Sequence, residues 1–315
     1  MNTERESSGA EKRDPQFEAR ITEYTKAVNE GRGQEVDGML LEMLMAAGAE
    51  AMADPSPDLV WKNIANDCEE LGHWAAAEDA HKKSLELAKE HPNPAFALKP
   101  HLDLAGFYEM LDRKEEALPH IERALELARN SEIESLLRMA LEAKISPELA
   151  PEILEEIRGE AESALKRLPP ERIYYTTKAF FLLIQARCMV ELRKFEAAEK
   201  YLADTREFIG ETNQSGFLVG YQGFHARVAA MMAKIHAGRG ETSQAISAFS
   251  ETVARQRTIG EQPQVAGVRT RYRTACALRT FGDYLEKGGM MAEAEQTRAE
   301  AKQILKELKL PVGAD

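Results

Sequence analysis

At five breaks between helical patterns in this 315-residue chain, each charged or glycine-bearing, a small residue is followed twelve positions later by an alanine. The pairs are Ala65 and Ala77, Ala105 and Ala117, Ala186 and Ala198, Ala233 and Ala245, and Gly282 and Ala294. The breaks read LGHW, LDRK, LRKF, GRGE and KGGM. Each break separates two segments with apolar residues at helical spacing. Two antiparallel helices that cross close to their turn need small side chains where the backbones approach. The recurrence therefore predicts a chain of helical hairpins. Few alternating Val/Ile/Thr runs exist to suggest strands. The abundant Ala, Glu, Leu, Lys and Arg are strong helix formers.

The second alanines fall at 77, 117, 198, 245 and 294, giving steps of 40, 81, 47 and 49. The step of 81 is two units, so a degenerate hairpin that lacks the small pair is predicted within 131–169. The spacing predicts helices over 15–30, 34–52, 56–71, 74–90, 94–111, 114–129, 132–144, 147–167, 170–192, 195–209, 215–237, 241–259, 262–286 and 290–308. Pro and Gly clusters punctuate them at DPSPD, HPNP, LPPE, IGETNQSG and IGEQPQ. The expected organisation is a disordered tail at 1–14, a capping hairpin at 15–55 and one solenoid over 56–310, with a soft joint at 168–171.

These units resemble the tetratricopeptide repeat family. Trp61, Ile64-Ala65, Leu71-Gly72 and Ala77 match its pattern, as do Leu104-Ala105, Tyr108, Ala117 and Ala124. Phe195-Ala198, Ala245-Phe249 and Phe281-Gly282-Ala294 match more loosely. The phrase EEALPHIERALELA is similar to the long repeats of kinesin light chains and bacterial signalling sensors. Its Pro119 lies just past the first turn of a helix, where a missing N–H costs less than in the interior. The periods exceed the family's usual length of about 34 residues. The resemblance implies an all-α, right-handed α-solenoid of about seven antiparallel hairpins, whose concave groove holds extended peptides or partner helices.

Counting each unit from three residues before its first bulky position, the resemblance places groove-facing residues at sites 2, 5, 9, 12 and 13. The unit starting at Asp58 offers Leu59, Lys62, Asn66, Glu69 and Glu70. Lys62 and Asn66 match half of a carboxylate clamp found in some family members, but Asp103 stands where that clamp has an asparagine. Later units offer Phe180, Leu183, Arg187, Arg227, Ala230, Lys234 and Arg279. Leu59, Phe180, Leu183 and Ala230 are expected to bury apolar surface. Arg187, Arg227, Lys234 and Arg279 are expected to set polarity and register.

Charge sharpens this. The net charge is −12, but residues 1–157 hold 17 Lys/Arg against 34 Asp/Glu, whereas residues 158–315 hold 24 against 19. A groove that turns arginine-rich toward the C-terminus suits an acidic peptide or helix of another protein, because guanidinium binds carboxylate bidentately. A small anionic ligand, and head-to-tail docking on the acidic half of another copy, are the alternatives, with solvated arginines as the plainest one. The negative total and the lack of aromatics interleaved with the basic residues argue against nucleic acid.

No phosphate-loop, nucleophile-elbow or HExxH pattern occurs. GFLVGYQG, from Gly216, follows a polar loop instead of a strand, and a helix start with a close helix contact explains it better than a dinucleotide site. The scattered histidines are expected on the surface or satisfied in the core. The Met-rich run from Met39 reads as core packing. No enzyme, cofactor or metal is expected. The polar opening MNTERESSGAEKRD predicts no secretory leader, and no run is long enough to span a bilayer. Cys68, Cys188 and Cys276 are sparse and unpaired, which points to the cytoplasm and to small buried hydrophobes.

Overall fold

A computed structural model describes residues 57–131, 133–170, 175–212, 218–261 and 267–310, with the side chains of 57–60, 209–212 and 218–222 outside that description. The expected tail, capping hairpin and Met-rich run lie outside the described residues, as does part of the expected joint at 168–171. Among the described residues every regular element is a helix. The first hairpin is α1 (Pro57–Leu71) and α2 (Trp74–Lys89). A 3-10 turn, Pro94–Ala97, leads into α3 (Leu98–Met110), which pairs with α4 (Lys114–Ser131). Then come α5 (Glu134–Lys144) and α6 (Pro151–Arg167). The array continues with α7 (Tyr175–Glu191) and α8 (Phe195–Thr212), α9 (Leu218–Arg239) and α10 (Thr242–Gly260), and α11 (Val268–Lys287) and α12 (Met291–Glu307). The fold is an all-α solenoid of antiparallel helical hairpins.

The small pairs sit where they were expected. All nine alanines of the five pairs are at most 2% exposed. A Cβ on Gly282 would come within 2.8 Å of Arg298 Cγ and 3.4 Å of the Ala294 carbonyl oxygen, so that crossing has no room to spare. Five turns share one geometry. Gly72, Asp112, Arg193, Gly240 and Gly289 all adopt positive φ, between 57° and 77°. Each stands five residues before the second alanine of its pair. The next residue's N–H closes the preceding helix in each case: His73 to Cys68 O, Arg113 to Tyr108 O, Lys194 to Met189 O, Glu241 to His236 O and Met290 to Leu285 O, at 2.8–2.9 Å. These are Schellman closures, in which a left-handed residue satisfies the carbonyls that a helix end leaves open.

The pair α5 and α6 differs. No left-handed residue joins them; Ile145 and Ala150 are extended, and Pro151 opens α6. With no small pair to let them close, the two helices scarcely touch, and α6 packs chiefly on α7 while α5 packs on α4 and α7.

The array closes on itself. Val268, at the start of α11, and Leu308, after α12, belong to the same buried core as Trp74, Phe107 and Leu104. The Trp74 indole N–H donates to Lys309 O at 2.6 Å, and Tyr272 Oη donates to Glu109 O at 3.4 Å. The last hairpin thus seats against the first two, bringing the basic half of the chain onto its acidic half.

Candidate functional site

Where α7, α9 and the C-terminal end of α5 meet, there is a cavity of about 260 Å³. Phe180, Leu183 and Arg187 line it from α7, and Arg227, Ala230 and Lys234 line it from α9. These are sites 2, 5 and 9 of two consecutive units. Six of the twelve expected groove residues therefore converge on one place. Ile145, Ile184 and Met231 complete an apolar floor.

The remaining six lie elsewhere, with Glu69 and Glu70 against the start of α11. Arg279 is exposed on α11 and does not line the cavity. Lys62 sits 3.8 Å from Asp103, so the expected half-clamp is partnered within the chain. Asn66 is half-buried on α1. Leu59 belongs to α1, but its side chain is not described.

The charged rim is more mixed than the basic count suggests. Glu142 and Glu191 line the same cavity. Arg227 is paired with Glu142, and Lys234 Nζ donates to Glu191 at 2.7 Å. Arg187 donates to Ile145 O at 2.7 Å and to Glu142 O at 3.4 Å. It therefore caps α5, supplying cationic donors to carbonyls at the negative end of the helix dipole. Phe180 is flanked by guanidinium groups: Arg138 lies 4.0 Å and Arg227 5.1 Å from its ring centre, and Phe224 packs at 4.2 Å.

Cations outnumber anions around this rim. Burial, with Arg227 nearby, pushes the Arg138 guanidinium below its ordinary range against the pull of Glu142. Arg273 on α11 does not line the cavity and keeps an exposed surface, but the protein packed around it, then Arg227, lowers it in the same direction, again opposed by Glu142. Arg273 makes no hydrogen bond to a described residue. Crowded cations that are partly desolvated gain from an added anion.

Some of these residues were legible and some were not. Glu191 falls at site 13 of the unit that gives Phe180, so the counting rule contains it. Glu142, Arg138 and Ile145 sit on the degenerate pair, where no register exists to count from.

Other expectations fall as follows. Cys68 and Cys188 are buried, and burial pushes both thiols up to about 12. Cys276 is half-buried. His81 is satisfied in the core by Glu69 at 2.7 Å, and His101 pairs with His120 through Nδ1 atoms 2.8 Å apart. The end of GFLVGYQG forms the start of α9, yet nothing lies within 4 Å of a Cβ placed on Gly223, so the expected close helix contact is absent there. No group of three or more metal-ligating side chains, and no helix long and apolar enough to cross a membrane, occurs among the described residues.

No family model matches the chain, and neither does any curated protein. Solved structures do. The crystal structure of the apo form of RapI is 13% identical with a TM-score of 0.58, covering 93% of this chain and 99% of that one. A Rap protein complexed with Competence and Sporulation Factor is 12% identical with a TM-score of 0.46, covering 94% and 99%. BtubC (BKLC) from P. vanneervenii is 16% identical with a TM-score of 0.34, covering 94% and 93%. The likeness to RapI extends over nearly the full length of both chains and shows that this protein shares its helical-repeat fold.

Proposed function

We propose that this protein is a non-catalytic interaction scaffold that binds a segment of another protein on its concave side. The cavity between α5, α7 and α9 carries this reading: an apolar floor beneath a rim with excess cationic charge. An apolar side chain of the segment fills the floor beside Phe180 and Ala230. An adjacent carboxylate is drawn to Arg273 and Arg227. Because Glu142 and Glu191 already neutralise part of the rim, the segment is amphipathic, carrying few acidic residues on an apolar face, more than uniformly acidic. Membership of the tetratricopeptide superfamily and a cytoplasmic location fit this role. Head-to-tail self-association is less favoured, because the contact between acidic and basic halves that would drive it is made within one chain.

The test is capture from host lysate at low and high salt, with retained proteins identified by mass spectrometry. Ala230→Trp fills the cavity without touching charge, and Arg273→Glu reverses an arginine that holds no other element in place. Salt-sensitive capture of one protein that both variants lose supports the proposal. Capture that survives both variants rejects this cavity as the site. A protein that captures nothing but binds a small anion in a cavity-dependent way would support the small-ligand alternative.

A further inference from the structure

The second site lies at the closure between the ends of the array. Arg269, in the first turn of α11, forks onto Glu69 of α1: Nε donates to Oε2 at 2.9 Å and Nη2 to Oε1 at 2.7 Å. Glu69 is 2% exposed. The backbone N–H of Val268 donates to Glu70 Oε1 at 2.7 Å. Nη2 also reaches Asp103 O at 3.4 Å. Asp103 itself is 5% exposed and is bonded by Lys99 through Oδ1; its Oδ2 makes no hydrogen bond and has Lys62 Nζ as an ion-pair neighbour at 3.8 Å. Two glycines make the room. A Cβ on Gly106 would press to 3.4 Å of Arg269 Nη1, and one on Gly267 would meet Glu70 Oε1 at 2.6 Å.

Glu69 and Glu70 are sites 12 and 13 of the first unit, where groove-binding ligands are expected in a repeat of this type. These two positions of the first hairpin are therefore covered by this chain's own α11. If Arg269 simply withdrew, Glu69 would remain buried against His81 with its main counter-charge gone, which is strongly unfavourable. If another guanidinium replaced it, the same hydrogen bonds would form again. Opening by exchange is thus far easier than opening by loss. Lys cannot substitute fully, since a compact ammonium does not reproduce the two parallel bonds.

We infer that the pocket formed by Glu69, Glu70, Asp103 and Gly106 is an arginine-recognition site, held in cis by Arg269, that accepts the arginine of a basic segment from a partner in exchange. This site is separate from the cavity at α5–α9 and does not depend on the function proposed for it.

The experiment uses the full chain carrying Arg269→Ala, which vacates the pocket, and a fluorescent octapeptide of residues 267–274. A matched peptide has citrulline in place of its first arginine, keeping shape but losing charge. The variant is expected to bind the arginine peptide at least about tenfold more tightly than the citrulline peptide, and more tightly than the wild type binds it. Adding Glu69→Gln should remove the discrimination. Equal binding of the two peptides, or no binding to a folded Arg269→Ala chain, overturns the inference. Should that variant not fold, Arg269→Lys is measured in its place, and a failure of N-ethylguanidinium to raise its melting temperature more than that of the wild type overturns the inference equally.

Discussion

Arg269 and Glu69 stand 200 positions apart in the sequence and meet through two hydrogen bonds of 2.9 and 2.7 Å. Burial alone would push the Glu69 carboxyl up, but hydrogen bonds from Arg269 and His81 outweigh it and hold it below the ordinary carboxylate range. Removing one partner strands the other. Arg269→Ala is expected to cost about 2–4 kcal/mol in urea unfolding at neutral pH. A double-mutant cycle with Glu69→Gln should show coupling above about 1 kcal/mol. Additive losses would mean that the pair is not coupled.

Arg193 occupies the left-handed position of the α7–α8 turn, with φ of 57° and an exposed side chain. Three of the five equivalent turns use glycine there. Arg193→Gly should raise stability by about 1 kcal/mol, since an L side chain is strained in that region and glycine is not. Gly240→Ala should lower it by a similar amount. Thermal unfolding of the two variants beside the wild type decides; the same sign for both would refute the strain argument.

Ala198 is fully buried where α7 crosses α8. Ala198→Leu forces those helices apart and should cost about 1–3 kcal/mol or more, as overpacking does. The same change at the exposed Ala299 of α12 should be nearly neutral, and matched denaturant curves check the contrast.

Glu78 ties the first hairpin to the second. It accepts from Arg113, from Lys82 and from the Tyr108 hydroxyl. Burial pushes it up, yet the hydrogen bonds from Arg113 and Lys82 prevail and bring it down to about 2. A depressed folded value stabilises the protein above the unfolded value of 4.5, and this contribution is lost as pH falls from there toward about 2. Glu78→Gln should therefore destabilise by about 1–2 kcal/mol at pH 7, after allowance for solvent screening, and the difference from wild type should vanish in acid. A difference unchanged between pH 7 and pH 3 would contradict this.

Burial raises all three thiols, but Cys68 and Cys188 are buried whereas Cys276 is half-buried and so the most accessible. In the native state a thiol reagent should modify Cys276 first and reach the other two only at the rate of unfolding. Mass spectrometry of partly labelled protein would show it. Early labelling of Cys188 would count against the packing of α7 described above.

Helix positions and hairpin pairing were legible because both follow from spacing along the chain. Ala65 to Ala77 and its four counterparts name the crossings directly, and sites 2, 5 and 9 of two units name most of the cavity lining. Three things were not legible. The common turn geometry was hidden because Asp112 and Arg193 fill positions where glycine is the usual signal. The orientation of α5 was hidden because a helix outside the repeat register gives no basis for counting, so Glu142 went unseen. Closure of the array was hidden because pairing Arg269 with Glu69, or Trp74 with Lys309, depends on superhelical curvature accumulated over many units, which no local pattern encodes. The unequal charge of the two halves was the one trace of it, and it was equally consistent with contact between two molecules.

Linear repeat arrays melt from their free ends, because a terminal unit has a neighbour on only one side. Seating α11 and α12 on α1 and α3 gives both described termini a second neighbour. The weakest link then moves inward, to α5 and α6, where adjoining helices scarcely touch. Among the described helices, hydrogen exchange should accordingly be fastest in α5 and α6 and slower in α1 and α12, the reverse of the fraying pattern of an open array.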